Sequence, residues 1–107
     1  MELRQYETES GTSPFEEWLD ELNAQAAAKV TTALLRLEQG NTSNVKGVGA
    51  GVLELTIDFG PGYRVYFGKD GVEIVILLAG GTTKKQQRDI EKAQARWTDY
   101  KTRKKGS

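Results

Sequence analysis

The chain has 107 residues, no cysteine and no histidine, and its 15 Lys/Arg balance its 15 Asp/Glu. That length makes one domain with one core, burying roughly 60–70% of the surface its unfolded chain exposes. Without Cys or His there are no disulfides, no thiolate metal sites, no cysteine nucleophile and no neutral-pH imidazole, so neither metal nor cofactor is expected and any catalysis falls to carboxylates, Lys, Arg, Tyr, Ser or Thr. The polar, acidic start has no apolar signal core, and the apolar run Val75–Ala79 is far too short for a bilayer, which predicts a soluble cytoplasmic protein with no membrane partner.

Met1–Thr8 reads as a weakly alternating first strand and Ser10–Ser13 as a loop. Ser13-Pro14-Phe15-Glu16 opens a helix, with Ser13 as cap, Pro14 at the first helical position and Glu16 completing a capping box. Phe15, Trp18, Leu19 and Leu22 follow on one apolar stripe. Asn23 caps a second helix that carries Val30, Ala33, Leu34 and Leu37 inward and stops at Gly40, giving a helical hairpin. The segment from Asn41 to Gly51 reads as a loop rich in Gly, Asn and Ser. Period two then takes over: Leu53, Leu55 and Ile57 alternate with Glu54, Thr56 and Asp58, and after Gly60-Pro61-Gly62 the residues Tyr63, Val65 and Phe67 alternate with Arg64 and Tyr66. Val72–Ala79 is apolar apart from Glu73 and reads as the most buried strand. Gly80-Gly81 breaks the chain, and Thr83 with Gln86 offers a second capping box for a last helix running to about Tyr100 on Ile90, Ala93, Trp97 and Tyr100.

The predicted order is β-α-α-β-β-β-α, an α+β domain over residues 1–100 with a disordered basic tail at 101–107. Its sheet is small and antiparallel, with helices on one face and the other face open. On that open face the alternation places Arg64 and Tyr66 beside Glu54, Thr56 and Asp58. An Arg next to a Tyr can bind phosphate and stack a base, although Arg64 in an exposed cross-strand ion pair with Glu54 or Asp58 fits the same pattern. Charge is also polarised. Residues 1–24 hold one basic and seven acidic side chains, whereas residues 84–107 hold nine basic and three acidic, so the C-terminal quarter can meet phosphates. Lys84 and Lys85 sit at the positive end of the last helix, where cations are locally unfavourable, which points to phosphate binding, although simple charged surface fits the same pattern. Lys46 is a weaker candidate for the same site. Trp18 and Trp97 lie on apolar stripes and read as core.

Two stretches carry a family resemblance. Leu53–Phe67, with Gly60-Pro61-Gly62-Tyr63-Arg64-Val65-Tyr66-Phe67 at its heart, resembles the central hairpin of the HigB-like addiction module killer proteins in the RelE/ParE toxin superfamily. Leu77–Ile90 resembles the last strand, glycine break and Lys-rich helix start of that family, and Ser13-Pro14-Phe15 and Ala93–Tyr100 fit it too. The resemblance implies a RelE-like fold and the toxin of a type II toxin–antitoxin system. The partners it implies are a cognate antitoxin, often a small helix-turn-helix protein, and the ribosome with its mRNA. In the mRNA-cleaving branch the 2′-hydroxyl of the message attacks the adjacent phosphate. By position, Arg64 would then stabilise the charged transition state, Lys84 or Lys85 would bind phosphate or help proton transfer, Tyr66 would stack on a base, and Arg88 would contact RNA backbone. Thr56 departs from the pattern, since many relatives carry a basic residue there. A ParE-like gyrase inhibitor and a non-toxic antitoxin-binding module are the alternatives.

Overall fold

The computed structural model describes residues 1–106. Its elements run β1 (Glu2–Gln5), α1 (Pro14–Glu21), α2 (Ala24–Glu38), β2 (Val45–Gly49), β3 (Val52–Ile57), β4 (Tyr63–Asp70), β5 (Ile74–Thr82), a 3₁₀ turn (Thr83–Lys85) and α3 (Gln86–Lys105). The caps of the helical hairpin form as the sequence predicts. Ser13 Oγ accepts from the Glu16 N–H at 3.1 Å and Asn23 Oδ1 from the Ala26 N–H at 2.9 Å, each satisfying a donor that the first turn leaves free. The α+β class holds, and the arrangement is compatible with a RelE-like fold.

The sheet order is β1-β5-β4-β3-β2. It is mixed rather than antiparallel, because β1 runs parallel to β5 while the other pairs are antiparallel. A fifth strand, β2, occupies the stretch that reads as a loop. Its glycines hide the alternation, but Val45 and Lys46 pair with Leu55 and Glu54.

The open face of the sequence reading does not exist. Tyr63, Val65, Phe67, Leu55 and Ile57 do face α1 and α2, in a core with Phe15, Val30, Leu34 and Leu37. The opposite face is covered by α3, whose Ala93 and Trp97 pack on Tyr66, Val52, Ile76 and Leu78. A register shift in the β4–β5 ladder lets Tyr66 pair with Ala79 and Phe67 with Leu77, so that Leu78 and Ala79 both join this second core. The helix also continues through residues 101–105, which the sequence reads as disordered tail (Ser107 lies outside the described residues). Contacts back to the domain hold that last turn: Lys104 pairs with Asp70, and Arg103 donates to the Glu7 carbonyl.

β5 runs through Gly80-Gly81 to Thr82 instead of breaking there. Both glycines are packing devices. The Trp18 ring lies where a Cβ on Gly80 would go, and the Asp89 carboxylate lies where one on Gly81 would go.

A candidate anion site around Arg64

β3 and β4 pair so that Thr56 stands opposite Arg64 and Glu54 opposite Tyr66, all four on the α3 face. The Arg64 guanidinium reaches diagonally along this face. Its Nη1 donates to Glu54 Oε1 at 2.9 Å and to Thr56 Oγ1 at 3.4 Å, and its Nη2 donates to Thr83 Oγ1 at 3.2 Å. Lys46, opposite Glu54 on β2, places Nζ 3.6 Å from the same carboxylate oxygen. From above, Gln86 at the start of α3 donates to Glu54 Oε2 at 2.8 Å. Two strands and a helix thus converge on one fully buried carboxylate of a third strand. A buried carboxylate is tolerable only when paired and hydrogen-bonded, and Glu54 has two cations and an amide.

The predicted capping box at Thr83 and Gln86 does not form: the helix start shows no side-chain cap bond, because both side chains are committed to the site. Thr83 is tied down further by its N–H to the Gly62 carbonyl at 3.0 Å. Gly62 adopts φ +85°, and a Cβ there would come within 2.6 Å of Thr83 Oγ1, so glycine is needed both for the backbone and for the approach.

Tyr66 does not meet the expectation of a stacking platform. It is fully buried under α3. Its hydroxyl and Arg64 Nε are buried polar atoms without a hydrogen-bond partner among the described residues. Burial, reinforced by the Glu54 charge, pushes the Tyr66 phenol well above its ordinary range. Arg64 keeps a side-chain exposure of 15%, so solvent reaches only an edge of the guanidinium. The ion pair with Glu54 that the strand pattern allows is present, but buried rather than exposed; the alternative partner, Asp58, is not in it.

The basic run at the helix start is divided. Thr83 and Gln86 turn toward Arg64. Lys84 is exposed on the 3₁₀ turn, while Lys85 and Arg88, also exposed, line a cleft between α1 and α3. The floor of that cleft includes Asp89, whose carboxyl is raised by burial against the opposing pull of Lys92, Arg88 and Lys85. Arg96, its pKa lowered by burial, donates to the Leu78 carbonyl at 2.9 Å. Sequence reasoning missed Gln86 as a site residue, Asp89 and Arg96. The available signal was the apolar stripe of the last helix, which needs a sheet face of its own.

Chemically, two cations around one carboxylate leave the Arg64 cluster with one net positive charge, and the helix start adds the exposed Lys84. This suits an oxyanion held at the rim of Arg64. Among the described residues no group of three or more metal-ligating side chains occurs, and no helix is long and apolar enough to cross a membrane.

Residues 17–98 match the family model described as phage derived protein Gp49-like (DUF891). An "Uncharacterized protein" from Haemophilus influenzae is 43% identical over 84 residues, covering 78% of this chain and 85% of that protein.

Proposed function

This chain belongs to the Gp49-like family, a toxin family of toxin–antitoxin modules, and from that premise we propose that it is a ribosome-dependent mRNA endonuclease acting in the cytoplasm. The observation that carries the reading is Arg64. It is held in one orientation by Glu54, Thr56 and Thr83, with an accessible edge beside the start of the last helix. A guanidinium fixed before substrate arrives costs no reorganisation when negative charge develops.

In the proposed reaction the 2′-hydroxyl oxygen forms a bond to the adjacent phosphorus while the bond to the 5′-oxygen breaks. The products are a cyclic phosphate and a 5′-hydroxyl end. The 2′-hydroxyl proton leaves to a base and the 5′-oxygen gains one. Arg64 stabilises the charged phosphorane-like state, Lys84 or Lys85 binds phosphate or moves the proton, and Lys46 and Arg88 hold RNA backbone. Tyr66 takes no part as a stacking surface, since α3 covers it. The family implies an antitoxin partner; a small helix-turn-helix protein is the kind proposed here.

The test is induced expression without antitoxin, with primer extension on a reporter mRNA in cells and in a purified translation reaction. Ribosome-dependent cuts support the reading. Growth arrest with intact mRNA favours gyrase inhibition, and absence of arrest favours a non-toxic binding module. Thr56 supports these alternatives, because it leaves Arg64 without a second cation at that position of β3.

A further inference from the structure

Beyond Leu77, β5 continues with no strand of the described residues beside it on one edge. β1 pairs with it from Ile74 to Leu77, and the last bond runs from the Tyr6 N–H to the Leu77 carbonyl at 2.9 Å. The next carbonyl, that of Leu78, is taken by Arg96. From Ala79 to Thr82 the strand lines a cleft of about 500 Å³ between α1 and α3. Such an edge offers backbone donors and acceptors in a row, a template for another extended chain.

The walls specify which kind of chain fits. α1 and α3 lie on opposite faces of the sheet, and the edge itself displays the alternation: Trp18 of α1 covers Gly80, and Asp89 of α3 covers Gly81. A strand laid along this edge turns its alternate side chains to α1 and to α3 in the same way. On the α1 side stand the exposed carboxylates Glu17 and Glu21; on the α3 side stand the exposed cations Lys85, Arg88 and Lys92. Among the described residues none of these five makes an ion pair. The walls therefore carry opposite charge, the α3 side keeping a net positive balance of three exposed cations over the buried Asp89. A polyanion would meet Glu17 and Glu21 across from its cations, whereas a strand of alternating charge satisfies both walls.

We propose that this edge docks an extended segment of a partner protein, paired with Ala79–Thr82, its acidic side chains turned toward α3 and its basic ones toward α1. The proposal does not depend on whether Arg64 acts on RNA, but it assigns Lys85 and Arg88 to the partner, so a bound partner would withhold these two cations from RNA.

The experiment uses the full chain and an eight-residue peptide of alternating Lys and Glu. A control peptide has the same composition in two blocks, and a third is N-methylated at alternate amides. Binding is followed by NMR amide shifts and hydrogen exchange. Slowed exchange at the amides of residues 79–82 with the alternating peptide, and its loss with the N-methylated one, is the expected result. The double variant Glu17→Lys, Glu21→Lys, made at exposed positions, should weaken binding about three- to tenfold, the scale of two surface pairs. Three outcomes overturn the proposal: no protection at 79–82, equal binding of the block peptide, or a larger shift of the same amides with an eight-nucleotide single-stranded RNA.

Discussion

Arg64 Nη1 donates to Glu54 Oε1 at 2.9 Å, and that carboxylate is wholly withdrawn from solvent. The pair joins two neighbouring strands diagonally, and Lys46 and Gln86 bind the same carboxylate from a third strand and a helix. Removing the carboxylate strands Arg64 in a low-dielectric site. Glu54→Ala should cost about 3–5 kcal/mol, the usual loss when a buried pair is broken. Glu54→Gln, which keeps the shape and an acceptor, should cost less. Urea denaturation of both variants checks the order; equal stability of Glu54→Ala and the parent would show that the carboxylate is not structurally required.

Tyr66 gives the opposite expectation. Among the described residues its buried hydroxyl has no hydrogen-bond partner, so Tyr66→Phe should leave stability unchanged or raise it by up to about 1 kcal/mol. The pH dependence is specific. The folded-state pKa lies above the ordinary 10.0, so the phenol's contribution is complete below pH 10 and is lost as pH rises beyond it. Thermal melts across the alkaline range should show a steeper decline for the parent than for Tyr66→Phe.

Gly80→Ala should destabilise by about 1–3 kcal/mol, since its methyl group would be driven into the Trp18 ring. Pairing it with Trp18→Leu, which vacates that space, should give a double variant more stable than the two single costs predict. Strict additivity in chemical denaturation would mean that the two positions do not oppose one another.

Asp89 carries a penalty for its burial. Its folded pKa is raised, so its contribution to stability is present below the ordinary 3.8 and is lost as pH rises through the folded value. Asp89→Asn should therefore be more stable than the parent near neutral pH, with the difference closing in acid. A difference that grows on acidification instead would reverse the sign assigned to this carboxyl.

For the proposed activity, Arg64→Gln should reduce mRNA cleavage about a hundredfold or more, the scale of losing one preorganised charge at a developing oxyanion. Because Glu54 loses a partner at the same time, the variant needs a folding control by circular dichroism. Full toxicity in a folded variant would remove Arg64 from the mechanism.

The helical hairpin and the β3–β4–β5 meander were readable because their signals are local: Ser13 and Asn23 cap at a fixed spacing, and Leu53–Phe67 alternates strictly. β2 was not, because its glycines carry no side chains to alternate. The pairing of Arg64 with Glu54 was legible as one option among cross-strand contacts. Its depth was not, since that depends on where α3 lands. The sign of each side chain on β3 and β4 was read correctly, but the face assigned to solvent belongs to Ala93 and Trp97. Thr83 and Gln86 fit a capping pattern by spacing alone; what diverts them is the Arg64 cluster, which only the folded chain brings into reach.

The last helix closes the chain back onto its beginning. Tyr6 OH donates to Asp99 Oδ2 at 2.7 Å, and β1 waits for β5, with Glu2 paired to Ile74. A ribosome synthesising this protein releases β1 long before its partner strand, and releases the cover of Glu54 and Tyr66 later still. Such sequence-distant contacts postpone closure of the sheet until synthesis is nearly complete. The nascent chain thus carries Arg64 for a long interval before it has Thr83 and Gln86, so maturation is timed by the topology itself.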